Sequence, residues 1–193
     1  GYHLANKTLD AKMVPAGHEH AGQPLRSVKG RPITIDVESF AADLLALHTK
    51  QEESLHFPVY DRNLHDPVPG ALRISPEQQV VLVEGLYIVR GNRAASLDAG
   101  GLSGWAAVRA ALDFTILLRL PLEESRRRVV ERKVVGGRSR ESAQQHFEAV
   151  DAPTILEIDR LELARDNEAA RTTAEHTGAD LVLSLATAPA AAA

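Results

Sequence analysis

The 193-residue chain carries 22 Lys and Arg against 26 Asp and Glu, a net charge of −4, with 44% hydrophobic and 25% charged residues. That length and balance suit one α/β-sized domain burying about 70% of its unfolded surface, with no need of a disulfide or metal staple. The absence of cysteine excludes a disulfide scaffold, a Cys-ligated zinc and a thiol nucleophile, and the acidic balance speaks against nucleic acid or an anionic membrane as partner.

The chain opens on Gly1 rather than Met, with no signal-peptide pattern. Gly1 to Thr8 fits the phosphate-loop pattern G-x-x-x-x-G-K-[ST] except that Asn6 stands for the second glycine. No strand precedes it here, so the match is rejected. Pro15 to Pro32, rich in Gly, Pro and His, reads as a long loop. Within it, His18-Glu19-His20 lacks companions at metal-site spacing and reads as flexible loop. Lys29-Gly30 is a substrate contact or a plain turn. Asp36 to His48 reads as a helix with Asp36 as N-cap. Tyr60-Asp61-Arg62-Asn63-Leu64-His65-Asp66-Pro67 is strongly polar. It can bracket a hydroxylated or planar substrate, or simply be a solvated turn.

Val80 to Gly85 reads as a buried parallel strand ending in Glu84-Gly85. The run to Val89 is too short to span a bilayer. An acid at a strand's carboxyl end can hold magnesium or its waters; the plainer reading is a surface Glu. Arg90 to Gly104 reads as a connection, Ser103 to Leu112 as a helix, and Asp113 to Leu120 as a second strand. Pro121 to Val135 reads as a helix with Pro at its first position and Glu123 and Glu124 in its first turn. Arg126, Arg127, Arg128, Arg132, Lys133, Arg138 and Arg140 form a basic stretch around the Gly136-Gly137 break. Such a segment can close on phosphates or be a solvated face. Ser139 to Val150 and Thr154 to His176 read as helices, and Asp180 to Leu185 as a third strand. Residues 186–193 read as a disordered Ala/Pro tail. Strands alternating with helices give an α/β fold with a parallel sheet.

Taken in order, these motifs resemble the P-loop small-molecule kinases of the uridine kinase, phosphoribulokinase and pantothenate kinase group, above all the branch linked to fructose transport. The resemblance covers residues 1–185 as one kinase domain. Gly1-Tyr2-His3-Leu4 is similar to the family's Asp-Gly-Phe/Tyr-His without its Asp, the family's general base. Lys29 to Asp36 resembles Lys-Gly-Ala-Pro-x-Thr-Phe-Asp, and Phe57 to Val68 the substrate strip. Val83-Glu84-Gly85 resembles the magnesium-supporting Glu-Gly. Asp151-Ala152-Pro153 resembles Asp-x-Pro-Asn, with Thr154 in place of Asn.

The resemblance implies a P-loop NTPase three-layer sandwich lacking its first strands and its phosphate loop in this chain, hence a truncated record, by itself inactive. It also implies an ATP- and Mg2+-dependent phosphotransferase acting on a hydroxyl of a sugar or nucleoside. Tyr2, His3, Lys29, Asp36, Tyr60, Arg62 and His65 would bind the acceptor. Arg128 and Arg138 would meet nucleotide phosphates. Arg132 would meet the transferring phosphate, and Glu84 would support the metal. The expected setting is the cytoplasm, with a homodimer as the admissible assembly. A non-catalytic regulatory module or relic, and an ATPase without a small-molecule acceptor, are the competing readings.

Overall fold

The computed structural model describes residues 1–50, 52–88, 102–156 and 181–184. The expected connection from Arg90, most of the Thr154–His176 helix and the Ala/Pro tail lie outside the described residues. The chain packs as two compact units, Gly1–Asp113 and Phe114–Ala193.

The first unit begins with a short helix, α1 (Asn6–Ala11). Leu9 of α1 is fully buried and forms a small core with Val14, Leu25 and Val28. The stretch expected to be a long loop is therefore more ordered than its composition suggests. Val14 N donates to Gln23 O at 2.7 Å and Leu25 N to Lys12 O at 2.8 Å. Single 3-10 turns follow at Leu25–Val28 and Pro32–Thr34. The glycines and prolines punctuate this segment, but its few apolar residues give it something to bury.

Helix α2 (Val37–Thr49) starts where Asp36 caps it: Asp36 Oδ1 accepts from Ser39 N at 3.1 Å. Phe40 and Leu44 are buried from its inner face. Next come β1 (Leu55–Asp61) and β2 (Asp66–Ile74), an antiparallel hairpin with a register shift between Phe57 and Val59. Pro58 cannot donate to a ladder, and Gly70 on the partner strand takes a left-handed φ of 62°, so the irregularity sits where ladder bonding is weakest. Helix α3 (Leu102–Ala110) packs against α2, with Trp105 and Val108 buried. Their approach is close: a Cβ on Gly104 would lie 2.6 Å from Val37 Cγ1.

The expected strand Val80–Gly85 is not formed. Residues 79–85 have no regular structure; Val80 is 76% exposed and Leu82 94%. An extended segment becomes a strand only with a neighbour to take its N–H and C=O groups. Among the described residues, no strand pairs with this one. Only beyond it do Tyr87 and Ile88 turn inward.

The second unit contains the parallel pairing that the sequence implies. β3 (Ile116–Arg119) pairs with β4 (Leu181–Ser184), Ile116 opposite Leu181. β3 is shorter than the apolar run that announced it and is not covered on both faces: Leu118 is 64% exposed. Helix α4 (Leu122–Val135) has Pro121 as its N-cap, so it begins one position after the expected first helical residue. Helix α5 (Arg140–His146) is capped by Ser139, whose Oγ accepts from Ser142 N at 3.2 Å. It runs into a π turn at Phe147–Asp151. Val130, Ala143, Phe147 and Ala152 make this unit's core, with Phe147 fully buried.

Candidate functional site

Three separate stretches converge in the first unit. Residues 2–4 lie alongside 34–36: Leu4 N donates to Thr34 O at 2.8 Å and Asp36 N to Tyr2 O at 2.7 Å. Gly1 lies against β1 so closely that a Cβ there would come 1.9 Å from Pro58 O. A side chain at this position would push the segment away. That approach sets the His3 ring 5.0 Å from the Tyr60 ring, tilted by 51°. Lys29 Nζ stands 5.1 Å from the Tyr60 ring centroid. It also donates to Asn6 Oδ1 and to His65 O, each at 2.6 Å.

The hairpin tip is fixed by its own chemistry. Asp61 Oδ1 accepts from Asn63 N at 2.7 Å and Leu64 N at 2.9 Å, an Asx-type turn. These bonds hold the Asp61 carboxyl below the usual carboxylate range. His65 closes the tip in the left-handed region, φ 51°. Asn6 Nδ2 reaches its carbonyl at 3.0 Å, while Asn6 N donates to Asp66 Oδ1 at 2.8 Å. Asp66 thereby serves α1 where its own N-cap, Ala5, offers no side-chain acceptor.

The His3 imidazole is held below its ordinary pKa, first by burial, then by the positive charge of Lys29. It is therefore neutral at pH 7 and can accept or donate one hydrogen bond. A neutral imidazole and an aromatic face suit a small hydroxylated or planar molecule, with the Lys29 ammonium fixed against that face. Arg62 and His65 lie exposed at the rim.

Other expected site residues fall elsewhere. Tyr2 stacks on Phe40 at 4.5 Å and donates its hydroxyl to Asp43 Oδ2 at 2.9 Å. Burial, then that bond, push its pKa well above the ordinary value, so it stays a phenol. Asp36 spends both carboxylate oxygens on Ser39, one on its N–H and one on its hydroxyl. Glu84 is exposed and has no side-chain partner among the described residues. One free carboxylate fits Mg2+, which is bound through one or two carboxylates while keeping waters and phosphate oxygens.

The arginines belong to the second unit. Arg128 Nε donates to Glu124 Oε1 at 2.6 Å, and Arg127 holds the same carboxylate from 2.7 Å. Both pull Glu124 down to about 2. Arg132 and Arg138 are exposed, with no side-chain partner among the described residues. The two arginines assigned to phosphates by resemblance thus differ, Arg138 free and Arg128 already engaged. Lys133 contacts Asp151, and its Nζ lies 2.7 Å from His146 Nδ1. That cluster, and the roles of Asn6 and Asp66, were missed in the sequence. Asn6 follows the Gly-Tyr-His motif and Asp66 precedes a proline, but neither position reveals that they meet.

No family profile matches the chain. Two curated proteins do. One is YggC of Escherichia coli K12, described as uncharacterized, 30% identical over 158 residues. The other is the "ATP-dependent kinase-like protein notR'" of Aspergillus versicolor, 28% identical over 140 residues. The alignments cover 82% and 71% of this chain; it spans 56% of the length of the first relative and 72% of the second. Among solved structures, the chain superposes on a "putative fructose transport system kinase" from Silicibacter sp. TM1040 with a TM-score of 0.62 and 26% identity. That match covers 94% of this chain and 70% of the other. It also superposes on YFH7 of Saccharomyces cerevisiae, a "putative P-loop containing kinase with a circular permutation", with a TM-score of 0.59. Identity there is 18%, over 95% of this chain and 55% of that one. The fold is therefore the α/β fold of P-loop kinase structures. In sequence, the chain is similar to kinase-like proteins.

Proposed function

We propose that the protein is an ATP- and Mg2+-dependent phosphotransferase that acts on a hydroxyl group of a sugar or nucleoside, within the uridine kinase-like group. The observation that carries this reading is the meeting of His3, Lys29 and Tyr60, with Arg62 and His65 at the rim, in a chain of P-loop kinase fold. On this reading the phosphate loop and the general base lie outside residues 1–193.

Tyr60 and the neutral His3 orient the acceptor by stacking and a hydrogen bond. Glu84 would hold the metal through water, and the ion would supply positive charge to offset that of the phosphates. Arg132 and Arg138, both unpaired, are free to swing onto the phosphoryl oxygens. Arg128 would join them only by leaving Glu124.

The test is ADP release by the complete gene product with Mg-ATP against a panel of sugars and nucleosides. Release that depends on one acceptor, with a phosphorylated product, is the expected outcome. Hydrolysis at one rate across the panel would favour an ATPase instead. Failure to bind Mg-ATP at millimolar concentration would favour a non-catalytic binding module.

A further inference from the structure

We infer that Lys29 and Asn6 form a latch that positions the acceptor site, and that Lys29 acts through the hairpin tip and not by holding the acceptor itself. The inference rests on the function proposed above for its kinetic arm, but its structural arm stands alone. Lys29 Nζ commits two of its three N–H groups, to Asn6 Oδ1 and His65 O. Asn6 closes the ring by donating Nδ2 to the same carbonyl and N to Asp66 Oδ1. One backbone carbonyl therefore takes two donors from residues 36 and 59 positions away in sequence.

Both bonds bear on a residue in an unfavoured backbone conformation. A non-glycine residue at positive φ persists when its surroundings over-determine it, and the latch supplies that constraint at His65. The same ammonium sits against the Tyr60 ring, which in turn meets His3. Releasing Lys29 frees the tip and removes the charge that faces Tyr60 at one stroke. No carboxylate pairs with Lys29 Nζ among the described residues, so the latch is made of carbonyl oxygens and an aromatic face, whose acceptor strength does not change with pH.

The structural arm measures amide hydrogen exchange on the complete protein as Lys29→Met, Asn6→Ala and His65→Asn. In the first two, the amides of Asn6, Asn63 and Leu64 should exchange roughly ten- to a hundredfold faster, the loss expected for charge-assisted bonds. Amides in α4 serve as the unchanged control. His65→Asn should keep the protection, because the carbonyl and not the imidazole is latched and Asn tolerates the left-handed region. Unchanged exchange at the tip in both Lys29→Met and Asn6→Ala would overturn the latch.

The kinetic arm compares acceptor KM in Lys29→Met, Asn6→Ala and the double variant. Residues acting through one latch give overlapping losses, so the double variant should resemble the worse single. Fully additive losses would mean that Lys29 touches the acceptor itself, and would overturn the inference. Should no acceptor be found, the proposed function falls while the exchange arm still decides the latch.

Discussion

In the first unit, Lys29 reaches His65 across 36 residues of sequence, and Tyr2 reaches Asp43 across 41. In α4, Arg127 and Arg128 find Glu124 and Glu131 three or four residues away. One site is assembled by tertiary contacts, the other is written along a single helix. The difference teaches what each can do. A constellation spanning distant segments holds rings and an ammonium in one geometry. The local ion pairs of α4 leave Arg132 on the helix, and Arg138 just beyond it, exposed and without a side-chain partner among the described residues. On the proposed function, the first arrangement would serve recognition and the second closure on a charge that develops late.

The largest expected effect lies in the cores beneath the two regions. Phe147→Ala should destabilise the second unit by about 3–5 kcal/mol, and Leu9→Ala the first by about 2–5 kcal/mol. Denaturant unfolding measures both. If the contrast holds, Leu9→Ala also disturbs the His3–Tyr60 ring contact, which NMR would report. Phe147→Ala should leave the local pairs of α4 to reform wherever the helix persists.

Next come Arg132→Ala and Glu84→Gln in the complete protein. On the proposed roles, each should lower kcat roughly 10²- to 10³-fold with little change in acceptor KM, because the charge they would meet develops in the transition state. A loss confined to KM would contradict those roles and would place recognition in the arginine helix after all.

A smaller effect separates two uses of one side chain. Asp36→Ala should cost about 1 kcal/mol through loss of the α2 cap, whereas Asp36→Asn should keep most of that stability. If Asp36→Asn nonetheless weakens acceptor binding in a calorimetric titration, the carboxylate serves substrate as well as helix.

The mildest test uses pH. The folded-state pKa of His3 is lowered, so below the unfolded-state value of 6.5 the unfolded chain binds more protons than the folded one. The stability contributed by neutral His3 is present above pH 6.5 and is lost as pH falls from there towards the folded pKa. Thermal unfolding between pH 7.5 and about 5 should show this slope, and His3→Gln should flatten it. An unchanged slope would mean that His3 is not the group that titrates.

How far each region could be read in the sequence follows the same divide. The helices at Asp36, Ser103, Pro121 and Ser139 were legible because caps, first-turn acids and apolar spacing are local signals. The strands at Ile116 and Leu181 were legible as two β-branched and Leu-rich runs in a parallel sheet; that they pair with each other was not. The run at Val80 carried the same signal and is not a strand, because strand formation depends on a neighbour that composition does not report. The β1–β2 hairpin went unread for the opposite reason. Three prolines, a glycine and many polar residues hide its pairing until Asp61 is seen folding the tip.

By itself the sequence determined the α/β alternation and the presence of α2, α3, α4 and α5, and it marked His3, Lys29, Tyr60 and the arginines as candidates. Only the tertiary structure decided that Tyr2 turns to Asp43, that Asp36 is committed to Ser39, and that Asn6 joins Lys29 on the His65 carbonyl. The physical reason is range. Propensities and caps act within one or two turns of backbone. Side-chain hydrogen bonds between segments depend on burial and strand placement, which no short window of residues contains.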